Sequence, residues 1–174
     1  MALVLTDEIR AMIGLTTGWQ QAANAVEASE VRRFHHATMD CAPRYFDAGH
    51  AASSRYGALV APPAFVVEMF RRPDAAPDPL DRFADDRNYD GAAQHFRGLP
   101  EIRTPLKRLL NGGYSYEFYR YARIGDQVER QSRFADIREK AGSAGPLLII
   151  LIETLYRTIE GTRLLRSVST LIQR

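Results

Sequence analysis

One stretch limits what this chain can fold into more than any other: Pro62-Pro63-Ala64-Phe65-Val66-Val67-Glu68-Met69-Phe70-Arg71-Arg72. Proline is tolerated in the first turn of a helix, where its missing N–H would be unsatisfied anyway, so Pro62-Pro63 marks a helix start and Pro73 a stop. From Ala64 to Phe70 only Glu68 is polar, an apolar surface too broad for a helix lying in an ordinary surface groove. The helix must be buried, and something must cover it. Residues 114–172 form the one block apolar and β-rich enough to do so, with at least three long strand-like runs. The expected fold class is α+β, an antiparallel sheet wrapped around one long buried helix.

At 174 residues the chain is expected to form a single domain over 1–174 with a real core, and length gives no support for two. Its 23 basic and 21 acidic side chains nearly cancel. The pairs Arg32-Arg33 and Arg71-Arg72 are isolated, so no nucleic-acid partner is expected. Cys41 stands alone, which excludes a disulfide within the chain and favours a reducing compartment. Asp7, Glu8 and Arg10 interrupt the apolar N-terminus, unlike a secretory signal, and the apolar run 147–152 is far too short to span a membrane. The chain is read as cytoplasmic, with no membrane partner. His35 and His36 lack metal-ligand spacing with any Cys or carboxylate cluster, so no metal is expected and both are placed on the solvent face of a helix. Without a glycine-rich phosphate loop or a serine nucleophile signature, kinase and hydrolase chemistry falls away.

In order along the chain, Thr6 and Asp7 open a short helix that Gly14 closes at a left-handed position. Trp19 comes next, in an extended segment, as a core or interface anchor. Ser29 caps a second helix over 30–38, with Val31 and Phe34 on one face, and Pro43 breaks the helical pattern and turns the chain. A small-residue helix is expected over 47–55. Residues 73–108 hold no period and scatter Pro73, Pro77, Pro79, Pro100 and Pro105 among charges, as an irregular segment covering the core would. Within it, 80–83 and 105–110 are each assigned a turn or two of helix. After a turn at Asn111-Gly112-Gly113, four strands are expected over 114–121, 127–139, 147–158 and 162–172.

This order resembles the hot-dog fold of the MaoC-like dehydratase and hydratase family in its N-terminal-half version. Four runs carry the resemblance, which covers about residues 15–172. They are the turn from Asp40 to Asp47, then Tyr56-Gly57-Ala58-Leu59-Val60-Ala61-Pro62-Pro63 ahead of the helix, Leu110-Asn111-Gly112-Gly113 before the first long strand, and Tyr119-Arg120-Tyr121-Ala122-Arg123-Ile124-Gly125-Asp126 at its end. The resemblance implies R-specific hydration of trans-2-enoyl thioesters, or the reverse dehydration, on an acyl-CoA or acyl-carrier-protein thioester. It also implies no metal or organic cofactor, and association of hot-dog subunits as homo- or hetero-oligomers.

Hydrating an enoyl thioester needs a group that activates water, a proton donor for the α-carbon, and a donor for the enolate-like thioester oxygen. In the family an Asp and a His supply the first two from one turn, spaced Asp, any residue, Asn, Pro, any residue, His. The corresponding run here is Asp40, Cys41, Ala42, Pro43, Arg44, Tyr45. Asp40 and Pro43 match, but Ala42 replaces the Asn and Tyr45 the His. An imidazole that titrates near neutrality has given way to a phenol with an ordinary pKa of about 10. Asp40 and Tyr45 are the candidate catalytic residues. Gly57, Ala61, Pro62 and Phe65 before and within the helix, with Asn111 and Gly112, are the candidate substrate-binding residues, since a helix start leaves N–H donors unpaired and glycine lets a ligand approach the backbone.

The Tyr45 substitution favours a non-catalytic half that lends its surface and acyl pocket to a partner carrying the intact pair. A second possibility is a homodimer whose altered Asp40/Tyr45 site acts on an acyl thioester or polyketide intermediate. A third is a homodimer that only binds a ligand or builds structure. The residues alone also allow Asp40 as a local turn carboxylate, Tyr45 and Phe46 as core or interface side chains, and His50 as either an exposed helical residue or a substitute imidazole.

Overall fold

The long β-runs close into one antiparallel sheet. Strands β1 (Gln20–Gln21), β2 (Leu109–Phe118), β3 (Val128–Gly142), β4 (Gly145–Thr158) and β5 (Arg163–Gln173) lie in the order β1-β3-β4-β5-β2. They belong to a computed structural model that describes residues 4–70, 81–87, 95–106, 108–143 and 145–174. The hairpin between β3 and β4 pairs Val128 with Thr158 and Gly142 with Gly145, β5 returns along β4, and β2 forms the far edge against β5.

Alternation along β4 decides the two faces. Leu148, Ile150, Ile152, Thr154, Tyr156 and Thr158 are buried on the inner face, whereas Leu147, Ile149, Leu151 and Leu155 are half-buried on the outer one. Two cores cover the inner face. In the first, Ile9 of α1 (Asp7–Ala11) and the segment bearing Phe96, Leu99 and Ile102 meet Phe134, Ile150 and Leu171. In the second, Val31 of α2 (Ala28–Ala37), Tyr45, and Phe65 and Val66 of α4 (Phe65–Glu68) meet Val128, Tyr156 and Leu165. Two short helices, α3 (Ala48–Ser53) and α5 (Arg82–Asp85), complete the described α-helices. Among the described residues no helix is long and apolar enough to cross a membrane.

This is the α+β hot-dog arrangement, with a change at its centre. The helix expected over 62–72 is a single turn, Phe65–Glu68, and residues 71 and 72 lie outside the described ones. Its burial matches expectation, since Ala61, Phe65 and Val66 are at most 6% exposed. Its length does not. No side chain caps it, and Phe65 N–H to Pro62 O at 2.9 Å and Val67 N–H to Ala64 O at 3.1 Å close tight three-residue turns. The adjacent β-branched Val66 and Val67 lose side-chain freedom in a helix and give it little to propagate on. The longest described helix is instead α2, with ten residues. It starts two residues before the expected point, with Glu27 rather than Ser29 at its N-cap and no side-chain cap bond. In α1 the expected cap is present, Thr6 Oγ1 accepting from Ile9 N–H at 3.3 Å.

Two expectations about the 73–118 region are corrected. Leu109 and Leu110, assigned to a helical turn, lie in β2 opposite Gln173 and Ile172. Asn111-Gly112-Gly113 is not a turn before the strand but a bulge inside it, where the register shifts between Asn111 and Tyr114. Asn111 Oδ1 accepts the Gly113 N–H at 2.8 Å, and Gly113 takes φ 107°, a conformation open to glycine. The described part of the expected cover also contributes core, since Phe96 and Ile102 are at most 1% exposed.

Candidate functional site

The end of α2 sets the geometry of the Asp40 turn. Met39 takes φ 55°, and the chain doubles back so that Asp40 N–H bonds His35 O at 2.9 Å. Pro43 then opens a one-turn 3-10 helix, Pro43–Tyr45, which folds the Tyr45 ring beneath Asp40. Tyr45 OH donates to Asp40 Oδ2 at 3.0 Å, and Arg44 Nη2 donates to Tyr45 OH at 2.9 Å. Ala42 N–H donates to Asp40 Oδ1 at 3.2 Å. The structure thus brings the two expected catalytic residues together and engages both Asp40 oxygens within the turn itself.

Tyr45 is 3% exposed. Burial pushes its phenol above its ordinary value; the bond from Arg44 opposes this and the bond to Asp40 adds to it. A phenol held protonated at neutral pH donates a hydrogen bond but does not relay a proton as an imidazole does. Arg44 is the partner that sequence reasoning does not reach, because an arginine in a turn carries no pattern.

His35 corrects a second expectation. Instead of lying on the solvent face, it is 3% exposed. Its ring lies nearly parallel to Tyr45, with centroids 6.1 Å apart, and to Phe46, 5.6 Å away. Neither ring nitrogen has a hydrogen-bond partner among the described residues. The signal is present in the sequence: Val31, Phe34, His35 and Thr38 fall on one face of a 3.6-residue period. His36 is exposed, as expected, and Phe46, expected in the core or an interface, is 55% exposed in this chain. His50 is exposed on α3, where Asp47 accepts its backbone N–H at 2.9 Å as the helix cap. Replacing an unpartnered buried imidazole with an apolar ring removes a desolvation cost, so His35→Phe is expected to leave stability unchanged or raise it by up to about 1 kcal/mol. The midpoint of urea unfolding checks this, and a loss would mean the nitrogens find partners in solution.

The approach to α4 is built differently from a free donor array. Gly57 (φ 68°) gives its N–H to Ser54 O at 3.1 Å, Val60 to Arg44 O at 3.2 Å and Ala61 to Ala122 O at 2.8 Å. These donors are committed within the chain, and Pro62 is buried. Phe65 packs edge-on to Phe34 at 5.6 Å. Both rings line a cleft of about 440 Å³ with Glu30, Arg33, Glu68 and Met69. This cleft and the Asp40 turn share α2, the cleft along its side and the turn at its C-terminal end. Asn111 and Gly112 stand apart from this turn in β2, an edge strand of the sheet. Among the described residues no group of three or more His, Cys, Asp or Glu is placed to hold a metal ion.

Comparison with known proteins adds to this geometry. The family model described as FAS1-like, dehydratase domain region, matches residues 11–166. A UPF0336 protein from Thermobifida fusca (strain YX) is 25% identical over 145 residues, which are 83% of this chain and 80% of that protein. The ChsH1-ChsH2 complex from Mycobacterium tuberculosis contains a chain similar in fold, with a TM-score of 0.70 at 16% identity over 91% of this chain and 88% of that one. The C-terminally truncated HadBC (3R-hydroxyacyl-ACP dehydratase) complex from the same organism gives a TM-score of 0.62 at 18% identity, over 92% and 96%.

Proposed function

Because the chain belongs to the family of FAS1-like dehydratase domains, of the MaoC-like hot-dog kind, we propose that it is the non-catalytic half of an enoyl-thioester hydratase or 3-hydroxyacyl-thioester dehydratase. It shapes the acyl pocket on behalf of a partner subunit that carries the intact Asp and His. One observation carries this reading: Asp40, the acid that should activate water, has Oδ2 capped by Tyr45 OH and Oδ1 by Ala42 N–H. Both oxygens of that carboxylate are engaged within its own turn, and a buried phenol held by Arg44 does not replace the missing imidazole.

What the chain contributes is surface. Phe34, Phe65 and Met69 give the cleft an apolar wall. Strand β2 pairs only with β5 among the described strands, so its outer edge leaves backbone donors and acceptors for a second sheet to extend. Two of the similar structures are complexes, which supports a paired assembly. The substrate is an acyl-CoA or acyl-carrier-protein thioester, and the exposed, unpaired Cys41 fits the cytoplasm.

A second reading, catalysis by the chain itself in a homodimer, is favoured by His35, a buried imidazole stacked beside Tyr45 with both nitrogens unengaged among the described residues. One experiment separates the two. Hydration of crotonyl-CoA is followed for the purified chain, for the chain reconstituted with the hot-dog subunit it assembles with, and for Asp40→Asn in both. The lending role predicts no hydration by the chain alone and full activity of the Asp40→Asn complex. Hydration by the lone chain that Asp40→Asn abolishes establishes the homodimeric enzyme instead, and inactivity in every assembly leaves a structural or binding protein.

A further inference from the structure

Between the two cores the inner face of the sheet turns polar. Tyr116, Ser167, Thr154 and Ser132 cross it in register from β2 to β3, and the neighbouring row is Phe118, Leu165, Tyr156 and Arg130. Two guanidiniums meet there. Arg97 Nη1 donates to the buried Tyr156 OH at 3.2 Å. Arg130, half-buried, lies over the Phe70 ring at 4.6 Å, and its Nε donates to Gln20 Oε1 at 3.1 Å. Burial pulls the Arg130 pKa down; Tyr156 opposes this, and the charge of Arg97 adds to it. No carboxylate of the described residues comes within ion-pair distance of either arginine. In the same region Ser167 Oγ is buried beside the Tyr156 phenol.

The turn bearing Arg97 is built to hold it in place. Phe96 anchors the turn by complete burial against Phe134. Arg97 takes φ 53°, in the left-handed region that side-chain-bearing residues rarely enter. At Gly98, with φ 87°, a Cβ would collide with Gln20 Nε2. The turn therefore clamps the amide that in turn holds Arg130. Backbone strain of this kind persists only where the surroundings over-determine it, and it clusters at sites of function. On the β2 side, the charges of Arg97 and Glu68 both reach Tyr116, with opposite effects. Tyr116 is the middle ring of a stacked ladder with Tyr114 at 5.9 Å and Phe118 at 5.8 Å. All three rings are exposed.

Two half-desolvated guanidiniums with no ion-paired carboxylate among the described residues, approached along an aromatic surface, make a receptor for an anionic group at the end of an apolar chain. Building on the proposed acyl-thioester function, we infer that Arg97 and Arg130 receive a carboxylate at the far end of the acyl group, so that the substrate is the thioester of a dicarboxylic acid. The planar guanidinium fork matches a carboxylate through paired hydrogen bonds. The ladder of Tyr114, Tyr116 and Phe118 accommodates the hydrocarbon, whereas the strongly hydrated phosphates of a carrier gain nothing from crossing it.

Calorimetry with succinyl-CoA and butyryl-CoA tests this on the protein in the assembly in which it purifies. Both thioesters are saturated at the α and β carbons and carry the same phosphates, so they differ only in the terminal group. Succinyl-CoA is expected to bind about ten- to hundred-fold more tightly. Arg97→Met and Arg130→Met should each remove most of that preference and leave butyryl-CoA affinity unchanged, which also certifies that the variants fold. Equal affinity of the wild type for the two thioesters overturns the inference and leaves the acyl-thioester reading standing. Parallel loss of both thioesters in folded variants assigns the arginines to the carrier phosphates and equally overturns it. Binding of neither thioester by the wild type overturns the reading and the inference together.

Discussion

Phe134→Ala is expected to cost about 3–5 kcal/mol of folding stability, the largest loss of any single truncation on the inner face. Phe134 is 0% exposed, sits opposite Ile152 on β4, and meets Phe96 edge-on at 6.3 Å. Its backbone is pinned as well: Gly14 N–H donates to Phe134 O at 2.9 Å and Phe134 N–H to Leu15 O at 3.1 Å. Between Phe134 and Asp136 the ladder changes register. A site held on both sides by hydrogen bonds cannot collapse into the space a lost ring leaves, so the cavity term is felt nearly in full. Against a total stability of about 5–15 kcal/mol, such a loss would shift the urea midpoint far while leaving the slope unchanged. Phe118→Ala makes the control. That ring is 45% exposed at the sheet edge, and its removal should cost less than about 1 kcal/mol in the isolated chain. Comparable losses at the two positions would mean that the first core is not packed around Phe134.

How far the sequence can be read depends on whether a residue's neighbours along the chain or across the sheet decide its state. The burial of Ala61, Phe65 and Val66 is legible, because prolines and an unbroken apolar run are local signals. The extent of that helix is not, because tight turn bonds at Pro62 and Ala64 compete with propagation, and a one-turn helix and a three-turn helix look alike in composition. Strands β3, β4 and β5 are found within a few residues, since alternation is itself local. The start of β2 is missed because Asn111-Gly112-Gly113 reads as a turn; only the partner register along β5 makes it a bulge. In the candidate site the Asp40 turn is legible from Pro43, and its pairing with Tyr45 only from the family resemblance. The closing of Asp40 by its own turn is not, since it needs the positive φ of Met39 and the guanidinium of Arg44. His35 fails for another reason: its polarity argues for solvent while its period argues for the core, and the period wins.

Glu153→Ala is expected to cost about 2–3 kcal/mol at neutral pH, because it strips the shared acceptor from two arginines. On the outer face Arg133 Nε lies 2.6 Å from Glu153 Oε1 and Arg166 Nε 2.6 Å from Oε2. Arg166 also reaches Glu117 at 3.7 Å. The charges thus alternate across four strands, from Glu117 on β2 to Arg166, Glu153 and Arg133, amid half-buried Leu151, Leu155 and Val168. The Glu153 side chain is 8% exposed and the two arginines 49% and 40%, so the freed guanidiniums turn to water. That keeps the loss below the roughly 3–5 kcal/mol of a fully buried pair. Burial alone would raise the Glu153 carboxyl, but the hydrogen bonds from Arg133 and Arg166 outweigh it and hold the pKa below the ordinary 4.5. Between the folded value and 4.5 the unfolded chain binds more protons than the native one. The contribution of Glu153 is therefore complete above 4.5 and is lost as pH falls through the folded value. Unfolding free energy measured by urea titration should hold steady with respect to this group at neutral pH and decline on acidification. Glu153→Gln keeps the shape and much of the hydrogen bonding without the charge, so it should cost less at neutrality and visibly flatten the acid decline. An unchanged decline in that variant would show that a different carboxylate governs the acid limb.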